Sequence, residues 1–150
     1  MNNTAVPFRL VASAREKQLA QFNARTEIKW FGFRGAFREP GDAVIRFERV
    51  ATGALGGGGT AAINGGVIAA GFDAAFVLAG LGHYDSPVVV TLELSVKFLS
   101  LAKAAESLNF IARVTRSARH FAFAEGVLVD AADPAARPLS LASAMVAPAG

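Results

Sequence analysis

The chain has 150 residues, 53% of them hydrophobic and 18% charged, with 15 Lys and Arg against 12 Asp and Glu for a net charge of +3. That is about one domain's worth of sequence with enough apolar residues for a real core, and it excludes a disordered tail. Cysteine is absent, which removes disulfides, thiolate nucleophiles and Cys-ligated metals, and two histidines, His83 and His120, are too few for a His-rich metal site. No basic run marks a nucleic-acid arm. The N-terminal segment carries Arg9 and does not read as a secretion signal, so a cytoplasmic protein is expected.

In chain order, residues 7–24 read as a moderately amphipathic helix with Pro7 in its first turn. Residues 27–38 are aromatic and β-prone, Glu39-Pro40-Gly41-Asp42 is a turn signal, and residues 43–50 alternate, which predicts two strands joined by a tight turn. Residues 51–60, with four consecutive glycines, predict a flexible loop that serves as a linker or lets a ligand come close. Residues 64–82 predict a helix capped by Asn64 and apolar all round, hence buried on most sides. Asp73 interrupts that segment and no cationic flank lies nearby, which argues against a membrane span.

From Val88 to Leu99 the pattern alternates strictly, with Val90, Leu92, Leu94, Val96 and Phe98 on one face and Thr91, Glu93, Ser95 and Lys97 on the other. Strands over 108–115, 119–130 and 139–146 follow, with short connections between them, and predict an antiparallel meander. A buried helix beside these strands requires a curved sheet wrapped round it, an α+β architecture.

Two features of the helix carry chemistry. Asp73 is the one charged residue between Val50 and Asp85, so its carboxylate needs a donor or a function. Gly65 and Gly66 leave backbone N–H groups at the positive end of the helix dipole, suited to a carbonyl oxygen becoming an oxyanion. Seven residues separate Gly66 from Asp73, about 10 Å along a helix, too far for both to serve one carbonyl. Two antiparallel copies bring them together, so use of both groups implies at least a homodimer.

The stretch Asn64-Gly65-Gly66-Val67-Ile68 through Asp73, followed by Val90-Thr91-Leu92-Glu93-Leu94-Ser95-Val96-Lys97-Phe98-Leu99, resembles the hotdog-fold thioesterases, in particular the PaaI-like acyl-CoA thioesterases of phenylacetate degradation. Those proteins carry His-Gly-Gly with an Asp nine residues after the His. The run Arg113–His120 and the closing Ala142-Ser143-Ala144 also fit, so the likeness covers about residues 27–147. It implies one hotdog domain, with residues 1–26 as an N-terminal helical extension, assembled as a homodimer and a dimer of dimers. It implies hydrolysis of an acyl-CoA with Asp73 as general base or nucleophile, Gly66 or Gly65 N–H polarising the carbonyl, and Thr91 orienting water or Asp73. A small or aromatic acyl group is expected from the family.

The motif His is Asn64 here, which caps and donates but takes up no proton. Phe72 and Phe76, with aromatics of the first hairpin, are candidates to line an acyl tunnel. Lys97, Arg116 and Arg119 are candidates for the coenzyme A phosphates. Neither metal nor redox cofactor is implied, and coenzyme A enters as part of the substrate; no nucleic-acid or membrane partner is expected. A non-catalytic acyl-CoA or lipid-binding protein is the alternative, and a dehydratase or hydratase of the same fold lacks a suitably placed His.

Overall fold

The computed structural model describes residues 4–56, 61–133, 135 and 137–149. In chain order the elements are α1 (Ala12–Asn23), α2 (Thr26–Trp30), β1 (Phe33–Arg38), β2 (Asp42–Phe47), α3 (Gly65–Leu81), β3 (Val89–Phe98), β4 (Leu108–Ser117), β5 (Ala122–Asp130) and β6 (Ser140–Pro148). A short 3-10 turn covers Thr52–Ala54, within the segment read as flexible loop, and residues 57–60 of that loop lie outside the described residues.

α3 is the centre. Asn64 caps it, with its Oδ1 accepting the Gly66 N–H at 2.7 Å. Eleven of its residues are buried, the all-round burial that its composition predicts. Around it curls a six-stranded antiparallel sheet in the order β1-β2-β4-β5-β6-β3. This is the hotdog arrangement. Among the described residues, no helix is long and apolar enough to cross a membrane.

The sheet corrects the expected meander at one strand. β4, β5 and β6 follow one another through short turns, but β3 pairs with β6 at the far edge and not with β4. The connection from Phe98 to Leu108 is too long for a hairpin. It passes over the approach to α3, where Ile63 N–H donates to Ala102 O and Ala104 N–H to Ala61 O, both at 2.7 Å.

Two corrections fall near the N-terminus. Residues 7–11 do not join the helix; with Val6 they form a non-helical strap tied at three separate places, by Val6 N–H to Val114 O, Phe8 N–H to Pro40 O and Leu10 N–H to Gly82 O. Residues 27–30, read as strand for their aromatic content, belong instead to α2, with Ile28 buried beneath it. Helix α1 is anchored at two points. Asn23 makes a pair of hydrogen bonds with the Gly35 backbone at 2.8 and 3.1 Å. The buried Gln18 turns its Nε2 toward the carbonyls of Leu81, Tyr84 and Ser86, satisfying groups that the end of α3 leaves open. The α1–α2 corner is thereby held against α3.

The core depends on close approach of α3 to the sheet. A Cβ built on Gly71 would stand 2.2 Å from the Phe110 ring, and Phe110 is itself fully buried. Phe33, Phe47 and Phe72 crowd that ring at centroid distances of 5.2–6.1 Å, so it has nowhere to go. Gly71→Ala is therefore expected to lower the unfolding free energy by about 1–3 kcal/mol, as overpacking does. Urea denaturation checks this, and adding Phe110→Leu should recover part of the loss.

Candidate active site

Asp73 sits on α3 flanked by buried residues, yet its own side chain is partly exposed. The Thr91 hydroxyl donates to Asp73 Oδ1 at 2.6 Å, a charge-assisted bond that fixes the carboxylate. A β-bulge makes this contact possible. Thr91 pairs with Val146 and Glu93 with Met145, so Leu92 is an extra residue with no partner of its own. Strict alternation would have put Thr91 on the face of Glu93, Ser95 and Lys97. The bulge instead places Thr91 with Leu94 and Val96, on the face turned to α3.

Asp73 also lines a cavity of about 110 Å³ between α3 and the α1–α2 corner, walled by Phe22, Ile28, Phe31 and Phe33, with Arg25 and Glu27 on the same wall. Phe31 and Phe33 are stacked at 5.2 Å. A carboxylate at one side of an aromatic cavity is an arrangement in which a small acyl group can meet a base.

The helix N-terminus is exposed at Asn64, Gly65 and Gly66. Gly66 N–H is engaged by the Asn64 carboxamide. A substrate carbonyl that uses this donor must displace the Asn64 oxygen, or else take Gly65 N–H, which has no acceptor among the described residues. Beside Gly65 lies the Phe98 ring, 3.5 Å from the position a Cβ would occupy. If Gly66 N–H is the oxyanion donor that the sequence predicts, cap and oxyanion site share one N–H, which a substitution separates. Asn64→Asp keeps a capping oxygen and adds an anion at the dipole's positive end, so stability should hold or rise by about 0.5 kcal/mol. The same anion stands where an oxyanion would form, so turnover should fall at least tenfold. Thermal unfolding and thiol release, read together, check both halves.

The sequence profile of the thioesterase superfamily matches residues 61–135, which contain Asn64, Asp73 and Thr91. The chain belongs to the thioesterase superfamily. No curated protein matches it significantly. Among solved structures, the PaaI protein of the Escherichia coli phenylacetic acid degradation operon is 18% identical, with 94% of this chain and 97% of that one covered and a TM-score of 0.78. Zebrafish thioesterase superfamily member 2 is 17% identical over 93% of this chain and 99% of that one, with a TM-score of 0.72. A mutant of the phenylacetic acid degradation protein PaaI from Thermus thermophilus is 19% identical over 83% and 100% of the two chains, with a TM-score of 0.68. At these identities the likeness is one of fold.

The remaining candidates of this superfamily member are dispersed. Phe72 and Phe76 are fully buried, packed on Phe110 and under Gly126, and do not line the cavity beside Asp73; Phe31 and Phe33 of the first hairpin region do. Lys97 lies near the end of β3, opposite Leu141. Arg116 lies opposite Phe123, whose own neighbour Met145 pairs with Glu93. Four residues along β3 and three strand spacings across therefore separate Lys97 from Arg116, about 13 Å by about 14 Å. Arg116 is near the end of β4 and Arg119 follows in the β4–β5 turn, and Arg9 reaches the end of β4 through Ser117 O at 3.4 Å. These three arginines make no ion pair among the described residues.

His83 is buried against Phe8, and neither ring nitrogen has a partner. Burial, aided by the Arg9 charge, lowers its pKa to about 4, so it is neutral near pH 7, and it does not line the cavity beside Asp73. No group of three or more His, Asp or Glu among the described residues could hold a metal ion. The α1–α2 contribution to the cavity had no sequence signal beyond Phe22 at helical spacing.

Proposed function

We propose that the protein is an acyl-CoA thioesterase, releasing a carboxylic acid and coenzyme A. The observation that carries this reading is the Thr91-held carboxylate of Asp73 facing an aromatic cavity from an otherwise apolar helix. Asp73 takes a proton from water, whose oxygen bonds the thioester carbonyl carbon; the C–S bond then breaks and the sulfur leaves as the thiol with a proton returned. Direct attack by Asp73, followed by hydrolysis of the anhydride, has the same stoichiometry. The chemistry draws on water, Asp73 and backbone N–H groups, with coenzyme A entering as part of the substrate.

The oxyanion donor comes from a second copy. Gly66 and Asp73 of one helix are about 10 Å apart. β3 offers the means of pairing: it is an edge strand, and Leu92 and Phe98 are each 54% exposed. Two copies joined along β3 form a homodimer with two equivalent sites, and dimers pair into a dimer of dimers. Arg116 and Arg119 bind coenzyme A phosphates at the β4–β5 turn, beside the exposed Phe121 and Phe123.

The Asn64 contact with Gly66 N–H favours one other reading, an acyl-CoA-binding protein that does not turn over. Thiol release from short, long and aromatic acyl-CoA esters separates the two. Saturable turnover with a definite acyl preference supports the thioesterase. Saturable binding without thiol release across the panel replaces it with the binding protein.

A further inference from the structure

Arg25 stands where α1 meets α2, on the wall of the cavity that Asp73 also lines. Its Nη2 donates to Pro87 O at 3.0 Å, and its guanidinium carbon lies 5.6 Å from the centroid of the Phe22 ring. Those two contacts hold the side chain and leave most of the guanidinium donors free. Arg25 makes no ion pair among the described residues. The rest of the wall is aromatic and aliphatic, apart from Glu27 and Asp73. Glu27 is exposed and sits in the first turn of α2, where the helix dipole already favours an anion. Asp73 belongs to the carbonyl end. Arg25 is therefore the one cation in a small cavity with little else for a polar group to bind.

We infer that Arg25 selects the acyl group, and that the preferred substrate is a short thioester whose acyl chain ends in a carboxylate. The inference rests on the thioesterase reading of Asp73. A guanidinium matches a carboxylate with two parallel N–H bonds, which a methyl end cannot accept. Arg25 is half-buried, so an apolar acyl end would cover part of the guanidinium without pairing it, whereas a carboxylate end replaces the water it displaces with charge-assisted bonds. A volume of about 110 Å³ limits the chain to a few carbons.

Glutaryl-CoA and valeryl-CoA test this, because they differ only at the far end of the acyl chain. In the full chain, kcat/KM for glutaryl-CoA is expected to exceed that for valeryl-CoA at least tenfold. Arg25→Gln should bring the ratio near one, Arg25→Lys should leave it intermediate, and Glu27→Gln should raise it. Circular dichroism confirms that each variant is folded. Thiol release from both esters at equal efficiency, or a ratio that Arg25→Gln does not move, overturns the assignment while leaving the thioesterase reading intact. If neither ester releases thiol, calorimetric Kd values decide. A glutaryl preference abolished by Arg25→Gln then supports Arg25 and rejects the hydrolysis, whereas equal Kd values reject the role of Arg25.

Discussion

Asp73→Asn is expected to lower thiol release by about a hundredfold to ten-thousandfold, the range that positioned general acid–base catalysis supplies. The amide is nearly isosteric and its oxygen still accepts the Thr91 hydroxyl, so the fold and acyl-CoA binding should persist. Thr91→Val removes the donor and leaves the carboxylate. One hydrogen bond to a charged group is worth about 1.5–3 kcal/mol, so it should cost less, about tenfold to a hundredfold. Single-turnover thiol release, with ester binding measured in parallel, checks both. An Asp73→Asn protein that keeps its rate would remove Asp73 from the chemistry.

Acid should destabilise the protein through His83. The ordinary imidazole takes up a proton near pH 6.5, whereas the buried ring in the folded protein does so only near 4. The unfolded chain therefore binds more protons across that window, and stability is lost as pH falls from about 6.5 to about 4, then levels off. The difference, 6.5 less 4, is about 2.5 units, which at about 1.36 kcal/mol each gives a loss of about 3 kcal/mol. His83→Phe should flatten this part of the profile, since the ring already packs against Phe8 at 5.7 Å and its nitrogens contact no partner. Urea titrations of both proteins at pH 7 and pH 4.5 isolate the effect, because other titrating groups are common to the pair.

Some of this structure was legible from residues alone. Asn64 and the apolar run behind it mark where α3 begins and why it is buried, and the observed helix ends one residue short of the predicted boundary. The later strands follow from alternation and short turns. What failed did so because distant contacts outweighed local preference. Pro7 fits a helix start, but Val6, Phe8 and Leu10 find backbone partners at Val114, Pro40 and Gly82, and these hold the segment out of the helix. Trp30 and Phe31 favour strand, but Ile28 gains burial by turning under as helix. The position of β3 beside β6 is a property of the whole sheet, not of any window of sequence.

The site divides in the same way. Asp73 stands out in its apolar setting, and the likeness to known thioesterases singles out Thr91. The cavity wall does not stand out, because Phe22, Arg25 and Ile28 come from helices whose approach to α3 depends on Gln18 and Asn23 bonding to distant backbone. Leu92 was also silent, since an apolar residue at that point continues the alternation and disguises the extra step.

That extra step makes the direction of the Thr91 hydroxyl a matter of parity. Facing along a strand is decided by odd or even count from its anchors, and β3 is anchored at Val89 under Gly80 and again from Glu93 onward against β6. For the direction of the Thr91 hydroxyl the chemical identity of Leu92 is close to irrelevant, whereas its presence is not. Many different residues could stand there without disturbing Asp73. Deletion of that single codon would force one side of the strand to turn over, with either the hydroxyl or the apolar row of Leu94 and Val96 facing water. Variation at this position should therefore be read by counting residues before comparing them.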